Sequence, residues 1–155
     1  MDIDGAQVTR LTDNPAKDYF PSWIPGQEEI LFNSDRAGNS EIYRISTDGK
    51  HLVRLTRSPA QDTMAVASPD ATKIAYTSDQ SGQREIWIMD MDGSHQVRLT
   101  SQGGWEPRWS SDGAKIAFVS DRDGGTEVYV MTSFGAEQIK LTQSLGRDMD
   151  PAWSR

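Results

Sequence analysis

Carboxylates recur at one place in this chain. Asp18, Asp62 and Asp148 each stand three positions before Pro21, Ala65 and Pro151, and the remaining occurrence of that place carries Gly104, with Glu106 close behind. Side chains repeated in this way would form a ring on loops at one mouth of a shared axis. Such an acidic rim suits a basic or amine-bearing peptide segment, or a cation. The plainer alternative is that each carboxylate accepts backbone N–H groups in its own loop, as Asp commonly does. Trp105 lies beside Gly103 and Gly104, outside the recurring tryptophan positions. It is a candidate exposed aromatic anchor, with packing over its own loop as the alternative. Asp18, Asp62, Asp148, Glu106 and Trp105 are therefore the candidate partner-binding residues.

Other chemistry finds less support. Ser34-Asp35-Arg36, Ser78-Asp79-Gln80 and Ser120-Asp121-Arg122 are followed by Glu41, Glu85 and Glu127. Three copies of one constellation predict a structural hairpin, with Asp closing the turn and Glu pairing locally at the surface. Asp2-Asp4-Gly5 and Asp90-Asp92-Gly93 match the start of a calcium loop but lack its closing glutamate, so hairpin turns are expected. There is no G-x-S-x-G motif and no cysteine. The two histidines, His51 and His95, follow equivalent D-G turns and are expected to be exposed, too far apart to share a metal. No catalytic residue, metal or cofactor is expected. The net charge of −7 argues against a nucleic-acid backbone or an anionic membrane surface as partner. No run approaches the length of a membrane helix, so no insertion is expected.

The elements that carry these residues repeat. Trp109 to Thr142, Trp23 to Thr56 and Ala67 to Thr100 share one outline and each span 33 positions. The joints between copies span 11 positions, except for 9 from Thr100 to Trp109. A constant core with a variable joint marks a repeated structural unit. Within it, Ile116-Ala117-Phe118-Val119 and Val128-Tyr129-Val130-Met131 are too short for helices and rich in strand formers. Turns containing Gly separate them, and Pro21, Pro107 and Pro151 fall at strand entrances. Each copy reads as a four-stranded antiparallel meander of about 40 residues, the form of a propeller blade. The fold class is all-β.

The chain, 1–155, reads as a single partial propeller domain with repeats at about 13–56, 57–100 and 101–142. Residues 1 to 12 supply a spare outer strand, and those after 142 a spare inner strand. Ile24-Pro25-Gly26-Gln27 replaces S-x-D-G and predicts a different turn type. Ala67 replaces a tryptophan, leaving a void that Trp87 is expected to fill in part. Met1 to Gly5 lack the basic start and apolar run of a secretory leader. They resemble Met89 to Gly93, so the chain is expected to begin inside a blade, as a piece of a longer protein. Three units and two loose strands do not close a ring of 4–8 blades. The chain is expected either to pair with a second copy or to come from a larger propeller.

The pattern is carried by Pro107, Trp109, Ser110, Asp112, Gly113, Ile116, Ala117, Phe118, Ser120, Asp121, Arg122, Gly124, Glu127, Tyr129, Met131, Leu141 and Thr142. It resembles the TolB-type β-propeller repeat across nearly the whole chain. The resemblance implies a non-catalytic scaffold of the cell envelope, periplasmic or otherwise extracytoplasmic, that binds a protein or peptide partner such as a lipoprotein. The alternative is a fragment of the gating propeller of a prolyl-oligopeptidase-like peptidase, or of a propeller lyase.

Overall fold

The computed structural model describes residues 6, 8–144 and 146–154. Three four-stranded antiparallel sheets follow one another along the chain, each in simple sequential order. The first holds β1 (Asp18–Trp23), β2 (Glu29–Ser34), β3 (Glu41–Ser46) and β4 (Val53–Arg54). The second holds β5 (Asp62–Ala67), β6 (Lys73–Ser78), β7 (Glu85–Asp90) and β8 (Val97–Arg98). The third holds β9 (Trp105–Trp109), β10 (Lys115–Ser120), β11 (Glu127–Thr132) and β12 (Ile139–Lys140). Among the described residues there is no helix.

Alternation along each strand sends neighbouring side chains into different interfaces. On β6, Ile74 and Tyr76 join Leu31, Ile42 and Leu55 of the first blade, while Ala75 joins Ile116 and Phe118 of the third. The cores therefore lie between blades rather than within them. Each fully buried Ile, Leu or Phe in these layers contributes about 1.5–3 kcal/mol of burial. The outer segment of one blade also packs on the D-G turn of the next. A Cβ added to Gly93 would lie 2.4 Å from the Leu55 carbonyl oxygen, and at Gly49 the Leu11 carbonyl oxygen occupies the corresponding place at 3.1 Å. Residues 8–12 thus follow the course of an outer strand before the first blade, although they pair in no ladder.

The turn at Ile24-Pro25-Gly26-Gln27 differs as the sequence predicts. Positive φ falls on Gly26, whereas the other two blades place it one residue later, on Ala71 and Gly113. Ala67 does leave a space. A solvent-open depression of about 340 Å³ lies between Trp23, Ala67 and Trp109. Trp87 does not line it, contrary to expectation, because it packs instead on the core between the first two blades.

Candidate functional site

The innermost strands β1, β5 and β9 each carry a bulge. Their register slips between Tyr19 and Ser22, between Thr63 and Val66, and opposite Ala117 to Val119. At each slip one residue takes positive φ: Phe20 (52°), Met64 (57°) and Glu106 (55°), with Asp150 (53°) repeating it in the segment after the third blade. Such a bulge re-aims side chains at a sheet edge. Here it turns all four residues toward one axial channel of about 320 Å³, which Arg108 also lines. Pro21 and Pro107 therefore lie inside their strands, just past the bulge, where a missing N–H is tolerated, rather than at the entrances.

The bulge N–H groups are held from the preceding blade. Asn33 Oδ1 accepts from Met64 N at 3.0 Å, and Asn33 Nδ2 donates to the Asp62 carbonyl at 2.6 Å. Thr77 Oγ1 accepts from Glu106 N at 3.2 Å. The equivalent residue of the third blade is Val119, which has no acceptor. Asp150 N turns instead to Glu106 Oε2 at 3.1 Å. The tryptophans close the other end of the inner strands. Trp109 Nε1 donates to Val66 O at 3.2 Å, and Trp153 Nε1 to Arg108 O at 3.0 Å. Trp23 has no described inner strand before it and is 65% exposed.

The expected acidic ring does not form. Glu106 alone of the five candidate residues reaches the channel. Asp18 is clamped by Arg36 through two 3.0 Å contacts. Partial burial opposes its ionisation, but hydrogen bonds from Ser34, Thr12 and Arg36 prevail and hold it below the usual carboxylate range. Asp62 is buried, held by Ser58 Oγ at 3.1 Å, and its Oδ1 has no hydrogen-bond partner among the described residues. Burial pushes its carboxyl up, with the Glu41 charge adding to the effect. Asp148 accepts from Ser144 Oγ at 3.2 Å within its own loop. Gly104 stands at the same place in the third copy because a Cβ there would lie 3.1 Å from Ile86 Cγ1 and Thr100 Oγ1. Trp105 is buried, with the Arg84 guanidinium 4.3 Å from its ring centroid, so it is not an exposed anchor. It aligns with Tyr19 and Thr63 and packs locally.

The remaining motifs are structural. Asp35 Oδ1 and Asp79 Oδ1 accept from Lys17 N and Gln61 N of the joint loops at 2.9 and 2.8 Å. Glu41, Glu85 and Glu127 are buried rather than forming surface pairs. Thr56 Oγ1 donates to Glu41 at 2.5 Å while accepting from Ile42 N at 2.9 Å, and Thr100 and Thr142 repeat the arrangement. Arg54 pairs with Glu41 at 2.7 Å, whereas Glu85 takes Gln83 and the Gly103 N–H in place of a cation. Asp90 holds Lys73 and His95, and Asp92 accepts from Ser94 N at 2.9 Å in a turn. His51 and His95 are exposed. Asp2, Asp4 and Gly5 lie outside the described residues. Among the described residues no group of three His, Asp or Glu is placed to hold a metal ion, and no helix is long and apolar enough to cross a membrane.

Phe20, Met64, Arg108 and Asp150 are the channel residues that motif spacing did not single out. Phe20 and Asp150, like Glu106, directly precede a Pro, which is a local signal; Met64, before Ala65, and Arg108, after Pro107, carry none.

A family model of the TolB beta propeller domain matches residues 38–106. No curated protein matches the chain. Among solved structures, a protein described as TolB from Agrobacterium tumefaciens shares 28% identity at a TM-score of 0.77, covering 84% of this chain and 50% of that one. TolB from Acinetobacter baumannii shares 24% identity at a TM-score of 0.84, covering 94% of this chain and 37% of that one. An oligogalacturonate lyase in complex with manganese, at 18% identity and a TM-score of 0.69, covers 94% of this chain and 40% of that one; it shares the fold alone. The chain thus spans half or less of the length of these structures.

Proposed function

We propose that this chain, whose repeats are similar to those of TolB-type β-propellers, is a rigid, non-catalytic scaffold that docks a protein or peptide segment over its axial channel. The observation that carries this reading is the convergence of three bulge residues, Phe20, Met64 and Glu106, and of Asp150, which repeats their positive φ after the third blade, on one concave opening. Phe20 and Met64 offer an apolar wall, and Phe20 is 49% exposed. Glu106 and Asp150 add carboxylates, with Arg108 the one basic residue at the opening among the described residues. An apolar pocket with a few convergent polar groups is the usual form of a recognition site. The net charge of −7 favours a partner segment with a basic residue beside an apolar one. Residues 13–56, 57–100 and 101–142 are its complete repeats. The cell envelope, outside the cytoplasm, is the compartment this reading assigns.

The test is selection from a random dodecamer peptide library displayed on phage, followed by affinity measurement of the recovered peptides. Peptides pairing Lys or Arg with an apolar residue are expected. The double substitution Glu106→Gln, Asp150→Asn should weaken them about tenfold, or about 1.4 kcal/mol. Equal affinity for the double variant, together with undiminished binding to Met64→Arg, would remove the channel as the docking site.

A further inference from the structure

At the opposite end of the strands, where the D-G turns lie, a second concavity of about 770 Å³ separates the second and third blades. Ile88, Val97 and Leu99 form one wall, and Trp109 and Phe134 the other. The corresponding boundary between the first and second blades is filled. There Ile24 is buried, Ala71 and Met91 pack on the core, and Arg44 reaches Glu29 at 3.6 Å. At the same four places the second boundary carries Ser68, Gly113, Ser133 and Ile88. Three smaller side chains and one exchange of a cation for an isoleucine accompany the apolar wedge at this boundary, where Trp109 also stands for Ala67 and Phe134 for Asp92.

The rim of this wedge has its own character. Phe134 stands where the other blades have the turn aspartates Asp48 and Asp92, and at 89% exposure it is the most exposed large apolar side chain among the described residues. An aromatic in such a position costs solubility without adding to the core. Asp70 and Asp112 also line the wedge. Hydrogen bonds from Ser68 and Thr72 hold Asp70 below the usual carboxylate range, and those from Ser110 and the Ala114 N–H do the same for Asp112. Lys73, the one basic residue in the lining among the described residues, is engaged by Asp90. The wedge therefore presents two aromatic side chains, an aliphatic wall and the two rim carboxylates Asp70 and Asp112, the latter with Lys115 nearby.

We infer that the wedge between the second and third blades binds a small organic cation with an apolar body, of the arylalkylamine or quaternary ammonium class. The volume fits a small molecule rather than a folded partner. Trp109 and Phe134 supply ring faces for the cation, and Asp70 and Asp112 supply charge. This site goes beyond the channel proposed above and shares no lining residue with it.

The experiment titrates the chain with benzyltrimethylammonium and 2-phenylethylammonium, with 3-phenylpropionate and 2-phenylethanol as anionic and neutral counterparts. The Trp109 indole N–H is followed by NMR. Saturable binding of the cations at about millimolar or tighter is expected, with both counterparts at least about tenfold weaker. Gly113→Ala with Ser133→Met installs the residues of the filled boundary and should abolish binding. Ala71 already adopts positive φ at the equivalent place (53°), so the backbone accepts this change. Asp70→Asn with Asp112→Asn, which keeps the turn geometry, should weaken the cations about tenfold and leave the alcohol unchanged. No saturation by either cation, equal binding of the propionate, or unaltered affinity in the filled variant would each overturn the inference.

Discussion

Asp62 keeps a carboxylate 1% exposed between the first two blades, with one oxygen unpaired. Its pKa is raised, first by burial and then by the Glu41 charge, against opposing hydrogen bonds from Ser78 and Ser58. A group whose folded pKa lies above its unfolded value favours the fold in its protonated form. That contribution is full below the unfolded pKa, near 4, and is lost as pH rises through the folded pKa. At neutral pH the residue is therefore a cost. Asp62→Asn should raise stability by about 1 kcal/mol at pH 7, and by much less near pH 4. Urea denaturation at the two pH values checks this; an equal gain at both, or a loss at pH 7, would contradict it. Asp18 is the opposite case at an equivalent place in the repeat. Its depressed pKa means that it supports the fold above its unfolded pKa and loses that support on acidification.

Blades are joined by backbone as well as by side chains. Gly93 and Gly124 have nearly the same positive φ, 87° and 89°, but Gly93 sits against the Leu55 carbonyl while Gly124 has nothing within 4 Å. Gly124→Ala should cost about 1–2 kcal/mol from backbone strain alone. Gly93→Ala should cost about 1–3 kcal/mol more, because it also drives the blades apart. Thermal unfolding of the two variants isolates the contact, and equal costs would show that it contributes nothing. The same contrast explains what could be read from the sequence. Strands and turns were legible because alternation, D-G turns and R-L-T segments are local signals repeated at fixed spacing. The channel was not, because the bulges at Phe20, Met64 and Glu106 rotate the inward-facing position away from the aspartates that motif spacing favoured. Trp105 was misplaced for a related reason. The short joint before it disguised its alignment with Tyr19 and Thr63, and Arg84, which covers it, lies in the preceding hairpin.

Among the described residues three blades follow one another, and the outer segments of the first and third differ in burial. Leu55 of the first blade is 4% exposed under the second, whereas Leu141, at the same place on the third, is 57% exposed, beside Ile139, which is about as exposed as its counterpart Val97. An apolar face of this kind favours association. The purified chain should gain mass with concentration by static light scattering, and Ile139→Lys with Leu141→Asp should return it to monomer mass. A monomer at all concentrations before substitution would contradict this. Across the blades, the three bulges and Asp150 bring into one concavity segments as distant in sequence as Phe20 and Asp150, so the proposed docking surface is one that no single repeat contains. The most direct test of that surface is backbone NMR of the chain titrated with a peptide recovered by selection. Perturbations centred on Phe20, Met64, Glu106, Arg108 and Asp150 are predicted. Perturbations confined to the outer strands β4, β8 and β12, with the channel residues unmoved, would contradict the docking function.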